Sequence, residues 1–210
     1  MRAKTNIVPI MTTFLLTTAL FTVWPGSSYG QSTPDATPDT MSAKRNAKNA
    51  SGFKEFSDHV QAYLSLRKSA ESSLPALKPT ALPEMITAHQ QALARKIREA
   101  RANAARGDIF SEDAREAFRH VVREELQGPH GHRARRTIQQ GEPLKSVRLH
   151  VNEPYPDGVP FTTVPPALLL KFPKLPEQVA YRIVVRDLVL LDSEANLVLD
   201  RIPGIFPETM

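Results

Sequence analysis

The C-terminal run YRIVVRDLVLLDSEANLVLDRIP, residues 181–203, restricts the fold more than any other stretch of the chain. It breaks into three short apolar runs, YRIVV, DLVLL and NLVLDRI. Residues 192–196, between the last two, have the composition of a hairpin connection. Successive side chains of a strand point to opposite faces of its sheet. Positions 188–191 and 197–199 are apolar without a break, so this hairpin must be buried on both sides, which makes it the centre of the core. Upstream, Val147, Leu149 and Val151 alternate with Arg148 and His150, which predicts a half-buried strand over 146–151.

Between these strand regions, residues 154–176 hold seven prolines. That density forbids a central strand or a long helix. Pro165 and Pro166 can open one helical turn through residues 168–170, closed by Phe172 and Pro173. We read the segment as an extended strap tying the sheet to the helices, with Phe161, residues 168–170 and Phe172 packed inward. A polyproline ridge offered to a partner is the functional alternative.

Before residue 129 the period is helical. Phe53, Phe56, Val60, Tyr63 and Leu64 share one face of a helix over 53–72, with Ser51 as its cap and Arg67, Lys68 and Glu71 on the outside. A second helix over 83–106 carries the stripe Ile86, Gln90, Leu93, Ile97, Ala100, Ala104 and stops at Gly107. A third, over 111–127, is capped by Ser111, has Glu112 and Asp113 in its first turn, and buries Ala114, Phe118, Val121, Val122 and Leu126. Residues 129–140 read as a loop. The prediction is an α+β domain in which three antiparallel-packed helices (53–72, 83–106, 111–127) cover one face of a small antiparallel sheet built from 146–151 and 180–202. Its helical half spans 51–128, and its strap and β half 143–206. No fixed-period repeat suggests a solenoid.

Ahead of this domain, residues 31–50 contain only Met41 among the large apolar types and read as a disordered linker. Arg2 and Lys4 precede an apolar run at 7–24. Pro25 and Gly26 break it, and Ser28 and Gly30 place small residues for a cut before Gln31. This is the order of a signal peptide over 1–30; the alternative is an uncleaved anchor. Either one sends the remainder across a membrane. The absence of cysteine excludes a disulfide framework, a thiol nucleophile, a thiolate metal site and a lipid-modified N-terminal cysteine.

The formal charge of +5 falls to +3 when Arg2 and Lys4 leave with the signal. What remains is concentrated at 93–136, where 11 basic residues face 7 acidic ones, while 137–210 is mildly acidic. Arg95, Arg98 and Arg101 on the second helix, with Arg133, Arg135 and Arg136 in the loop after the third, are the candidate contact surface for anionic headgroups or an acidic envelope polymer. A solvated helix face is the alternative. Nucleic acid is not expected, because the aromatics lie in core positions rather than among the basic residues. His130 and His132, with His120 or His150, have the spacing of a zinc or copper site, but Arg133, Arg135 and Arg136 would repel the cation, so we assign no metal and no cofactor. Asp187, Asp192 and Asp200 cluster on the hairpin and are the candidate acid–base groups. Asp192 and Asn196 also suit a turn, and Asp187 can pair with Arg186 or Arg182. No hydrolase, phosphate-loop or dinucleotide motif occurs. The reading is an exported, non-enzymatic binding domain of the cell envelope, with an envelope protein or an anionic surface as partner. The membrane is engaged only through an uncleaved signal, if at all. The alternative is a periplasmic or secreted hydrolase using the hairpin carboxylates.

Overall fold

Helices come first along the chain: α1 (Thr40–Ser72), α2 (Pro83–Ala100), α3 (Glu112–Gln127) and a short α4 (Gly131–Gln139). The strands β1 (Thr162–Thr163), β2 (Val179–Val184), β3 (Asp187–Asp192) and β4 (Leu197–Ile202) follow, with one helical turn, α5 (Pro166–Leu169), after β1. The structure is a computed structural model that describes residues 40–76, 82–129, 131–139 and 147–207. The expected signal and the first part of the expected linker lie outside the described residues. These residues belong to one compact unit, Pro38–Met210.

The fold is α+β. Its sheet is a meander in the order β1-β2-β3-β4, with every pair antiparallel. The hairpin is covered on both faces. On one side Tyr181, Ile183, Leu188, Leu190, Leu197 and Leu199 meet Phe56, Leu93, Ile97, Phe110 and Phe118 from the helices and the loop before α3. On the other, Val184, Val189, Leu191 and Val198 are buried under Leu149 and Tyr155, with Val147 and Val159 at the margin. A coil therefore replaces the second layer.

That coil corrects the strand expected at 146–151. Leu149 is buried while Arg148 and His150 are exposed, so the alternation holds, but residues 147–150 are not a strand. Pairing starts at Asn152, whose φ of 63 turns the chain. Asn152 N–H then donates to Val198 O (2.8 Å), Tyr155 N–H to Asn196 O (2.8 Å) and Val198 N–H to Glu153 O (3.0 Å). Pro154 and Pro156 lack the N–H needed to extend this pairing into a further strand. In the strap, α5 forms where the prolines predict it. Leu168 and Phe172 are buried, whereas Phe161, Leu169 and Leu170 are exposed, contrary to the expected inward packing. One turn has room for only one inward residue, and Leu168 takes it.

α1 begins at Thr40, so residues 40–50 are helix rather than linker, and Ser51 is interior rather than a cap. These turns bury no apolar stripe, which is why the hydrophobic pattern misses them. They add to a helix already anchored downstream, which avoids the cost of nucleation, and Ala, Lys and Arg are good helix formers. Asn49 Nδ2 lies 3.0 Å from His120 Nδ1 and Lys48 pairs with Glu116, which ties this end to α3. The two helices run antiparallel and nearly touch at Gly52, where an added Cβ would stand 2.4 Å from Asp113 O. Phe118 packs edge-on against Phe56 (5.1 Å between centroids) and Phe172 (4.7 Å), joining helices to strap.

α2 ends at Ala100 rather than at 106. Asn152 Nδ2 donates to the carbonyls of Arg98 (3.2 Å) and Arg101 (2.9 Å), filling acceptors that a helix end leaves open. Of its stripe only Leu93 and Ile97 are buried, with Ala94 beside them, and Ile86 is exposed. α3 has the expected extent, with Ser111 accepting from the Ala114 amide. The expected loop at 129–140 instead contains α4, which buries Gly131 and Ala134.

Candidate functional site

The three hairpin carboxylates fall on two sides of the sheet. Asp192 lies opposite Leu197 and shares the helical face. Asp200 reaches that face through a bulge: Leu190 pairs with Asp200 and Leu191 with Val198, leaving Leu199 as the extra residue. The extra residue reverses the alternation, so Leu197, Leu199, Asp200 and Ile202 all serve the helical side. Asp187 lies on the opposite face, where Arg201 Nη1 donates to it at 2.5 Å and the Gly204 amide at 2.9 Å. Its partner is Arg201, not Arg182 or Arg186.

Asp192 is fully buried and its acceptors are taken. Oδ1 accepts from the amides of Glu194 (3.0 Å) and Ala195 (2.8 Å), the turn role expected of it. Oδ2 accepts from the Tyr63 hydroxyl (2.5 Å) and Arg67 Nε (2.9 Å). Arg67 is thus inside, not on the outer face of the first helix; it also pairs with Glu71 and Glu194. Burial opposes its charge, but Asp192, with the two glutamates, more than offsets this and raises the guanidinium above its ordinary range. Burial, together with the neighbouring Asp192 charge, pushes the Tyr63 hydroxyl well up, so it serves as a donor and not as a base.

Asp200 is also fully buried. Four backbone N–H groups hold it: Gly107 (3.0 Å), Ile109 (2.9 Å), Phe110 (2.8 Å) and Arg201 (2.7 Å). Gly107 adopts φ 102, open to glycine at little cost, to aim its amide there. Burial raises this carboxyl above its ordinary value, and the amides counteract only part of that rise. A raised buried carboxyl is what a general acid requires, yet here every approach to the oxygens is filled by the loop that precedes α3. Asp192 and Asp200 clamp helices to sheet.

The candidate arginines separate into spent and available groups. Arg98 donates to Asn152 O (3.0 Å) and Glu153 (2.7 Å). Arg101 turns inward, its guanidinium 5.5 Å from the centre of the Tyr63 ring, and donates to Leu199 O (3.3 Å); burial lowers its pKa. Arg95 is exposed beside Arg98 and Glu153 at the mouth of a shallow recess. On α4, Arg135 donates to Leu126 O, whereas Arg133 and Arg136 are exposed. α2 packs on α1 and α4 on α3.

His132 is exposed, His120 is engaged by Asn49, and His130 lies outside the described residues. No group of three metal-ligating side chains occurs among the described residues. The residues that sequence reading missed lie on α3 and at the start of α1. Arg119 and Arg123 flank a groove whose floor includes Val122, Leu126 and Ile205; their spacing of four on one helix was the available signal. Lys44, Arg45 and Lys48 were hidden by the reading of 31–50 as linker.

Compared with models of protein families, with curated proteins and with solved structures, the chain matches none.

Proposed function

We propose that this chain is an exported, non-enzymatic binding domain of the cell envelope, engaging an envelope protein or an anionic envelope surface through exposed basic side chains. The supporting observation is how its charges are used. Asp192 and Asp200 are consumed as clamps between helices and sheet, Asp187 is tied to Arg201, and Arg95, Arg133 and Arg136 remain exposed. Export rests on the segment 1–30, with Arg2 and Lys4, the apolar run 7–24 and small residues before Gln31. Among the described residues no helix is long and apolar enough to cross a membrane.

The test is cell fractionation of the full chain, with N-terminal sequencing and in-cell crosslinking read by mass spectrometry. The expected protein starts at Gln31, fractionates with the envelope and crosslinks to a defined partner or to the surface itself. Substituting Arg95, Arg133 and Arg136 by Glu should weaken that association. A protein that keeps Met1 and stays in the cytoplasm overturns the export reading, and fractionation unchanged by the three substitutions overturns the basic contact.

A further inference from the structure

Three helix segments bring their cations to one end of the molecule. α1 and α3 are antiparallel, with Lys48 against Glu116 and Asn49 against His120, so the first turns of α1 pass the C-terminal half of α3. α4 starts on the last turn of α3: Gly131 lies too close to Leu126 O to admit a Cβ, and Arg135 donates to the same oxygen. Residues 40–48, 119–127 and 131–139 together hold eight basic residues and two acidic ones.

Most of these cations are not neutralised within the protein. Arg135 is spent on Leu126 O and Lys48 on Glu116. Lys44, Arg45, Arg119, Arg123, Arg133 and Arg136 have no carboxylate within ion-pair distance among the described residues. All six are exposed except Arg119, which is half-buried. The two acidic residues of the end, Glu124 and Glu125, lie against His120 and Lys171.

The exposed surface of this end is charge almost without hydrocarbon. Of the exposed large apolar side chains only Met41 belongs to α1, α3 or α4, and every Phe and Tyr of these helices is buried or half-buried. Arg119 and Arg123 line the recess beside α3, but its Val122, Leu126 and Ile205 are buried. Amphipathic membrane binding sinks apolar side chains into the bilayer. A protein interface has an apolar or aromatic centre, and single-stranded nucleic acid is held by stacking on rings. The cations offer none of these contacts. They are also spread over three helices, and the recess gathers only two of them, so a small anion would leave the rest unused. A hydrophilic polyanion uses them all. We propose that this end binds an acidic glycopolymer of the envelope, whose anionic groups pair with Arg119 and Arg123 on α3, Lys44 and Arg45 on α1, and Arg133 and Arg136 on α4. Arginine suits carboxylate and phosphate alike because its planar fork donates twice. This inference rests on the envelope reading above and narrows its anionic surface to a hydrophilic polymer.

The experiment passes the full chain over immobilised alginate, a polyuronate, and over neutral dextran. Retention on alginate alone, falling as salt rises, is expected. Arg119→Glu with Arg123→Glu should weaken binding at least about tenfold. Arg119 is half-buried, so a second variant, Arg123→Glu with Arg133→Glu and Arg136→Glu, alters exposed positions only and should show the same loss. Arg148→Glu with Lys174→Glu makes the same change of charge as the first variant at exposed positions elsewhere and should keep most of the retention. No retention, retention untouched by both patch variants, or an equal loss in the Arg148 and Lys174 variant overturns the proposal. Release from alginate by duplex DNA at a far lower anion concentration than alginate itself needs also overturns it and assigns the patch to a nucleic acid. The same release by phosphatidylglycerol vesicles, beyond that by phosphatidylcholine vesicles, assigns it to lipid. If alginate fails while in-cell crosslinking recovers an envelope protein, the polymer is wrong and the envelope reading stands. A chain confined to the cytoplasm takes both readings down.

Discussion

Arg67 is 4% exposed and meets a carboxylate that is 0% exposed, so neither charge has water to fall back on. Truncating one member of such a pair strands the other, a loss of about 3–5 kcal/mol. Arg67→Ala should therefore lower the stability measured by urea unfolding by about that amount, far more than an exposed arginine such as Arg95. Asp200 makes a pH prediction of definite sign. Its native pKa lies above the ordinary 3.8 because burial outweighs the amide donors. The native state then keeps a proton that the unfolded chain has lost. The resulting stabilisation is complete below 3.8 and is lost as pH rises through the native value. Asp200→Asn does not titrate, so the stability of the wild type relative to this variant should shrink as pH rises through that window. A difference that grows with pH would mean that the amides dominate. The turn role of Asp192 was legible beforehand, but neither its bond to Arg67 nor the burial of Asp200 was. A charged side chain at position 67 reads as an outward residue, although 56, 60, 63, 67 and 70 form one stripe. The bulge that re-aims Asp200 leaves no mark on the alternation of β4.

Elements were legible where an apolar period met a capping residue. Ser111 and the stripe through Leu126 fixed α3, and the paired prolines fixed α5. The period fails where an element is held by something other than its own buried face. The first turns of α1 are exposed helix, and α2 is stopped by an asparagine some fifty residues away. The α1–α3 contact gives the test at this scale. Alanine has the better helix propensity by about 1 kcal/mol, so Gly52→Ala in an isolated helix would stabilise. Here the new methyl would meet the Asp113 carbonyl at 2.4 Å, and overpacking of this kind costs about 1–3 kcal/mol. A lowered melting temperature is expected, whereas a raised one would show that the two helices can separate without loss.

At the scale of the molecule, the need for two covers was readable from 188–191 and 197–199, but not that the second cover is a coil. Leu149 is the buried anchor of that coil. Leu149→Ala should cost about 2–5 kcal/mol and shift a single urea transition followed by circular dichroism. An unchanged midpoint would mean that the coil lies on the sheet without being part of the cooperative unit. The clamps also set an order of events during synthesis. A chain emerging from its N-terminus presents Arg67, the end of α2 and the amides of residues 107–110 long before Asp192, Asn152 and Asp200 exist to receive them. Until the last hairpin arrives, the helical half lacks the buried acceptor of Arg67 and the carboxylate that gathers the amides of residues 107–110. A message cut short before residue 187 leaves Arg67 with Glu71 alone.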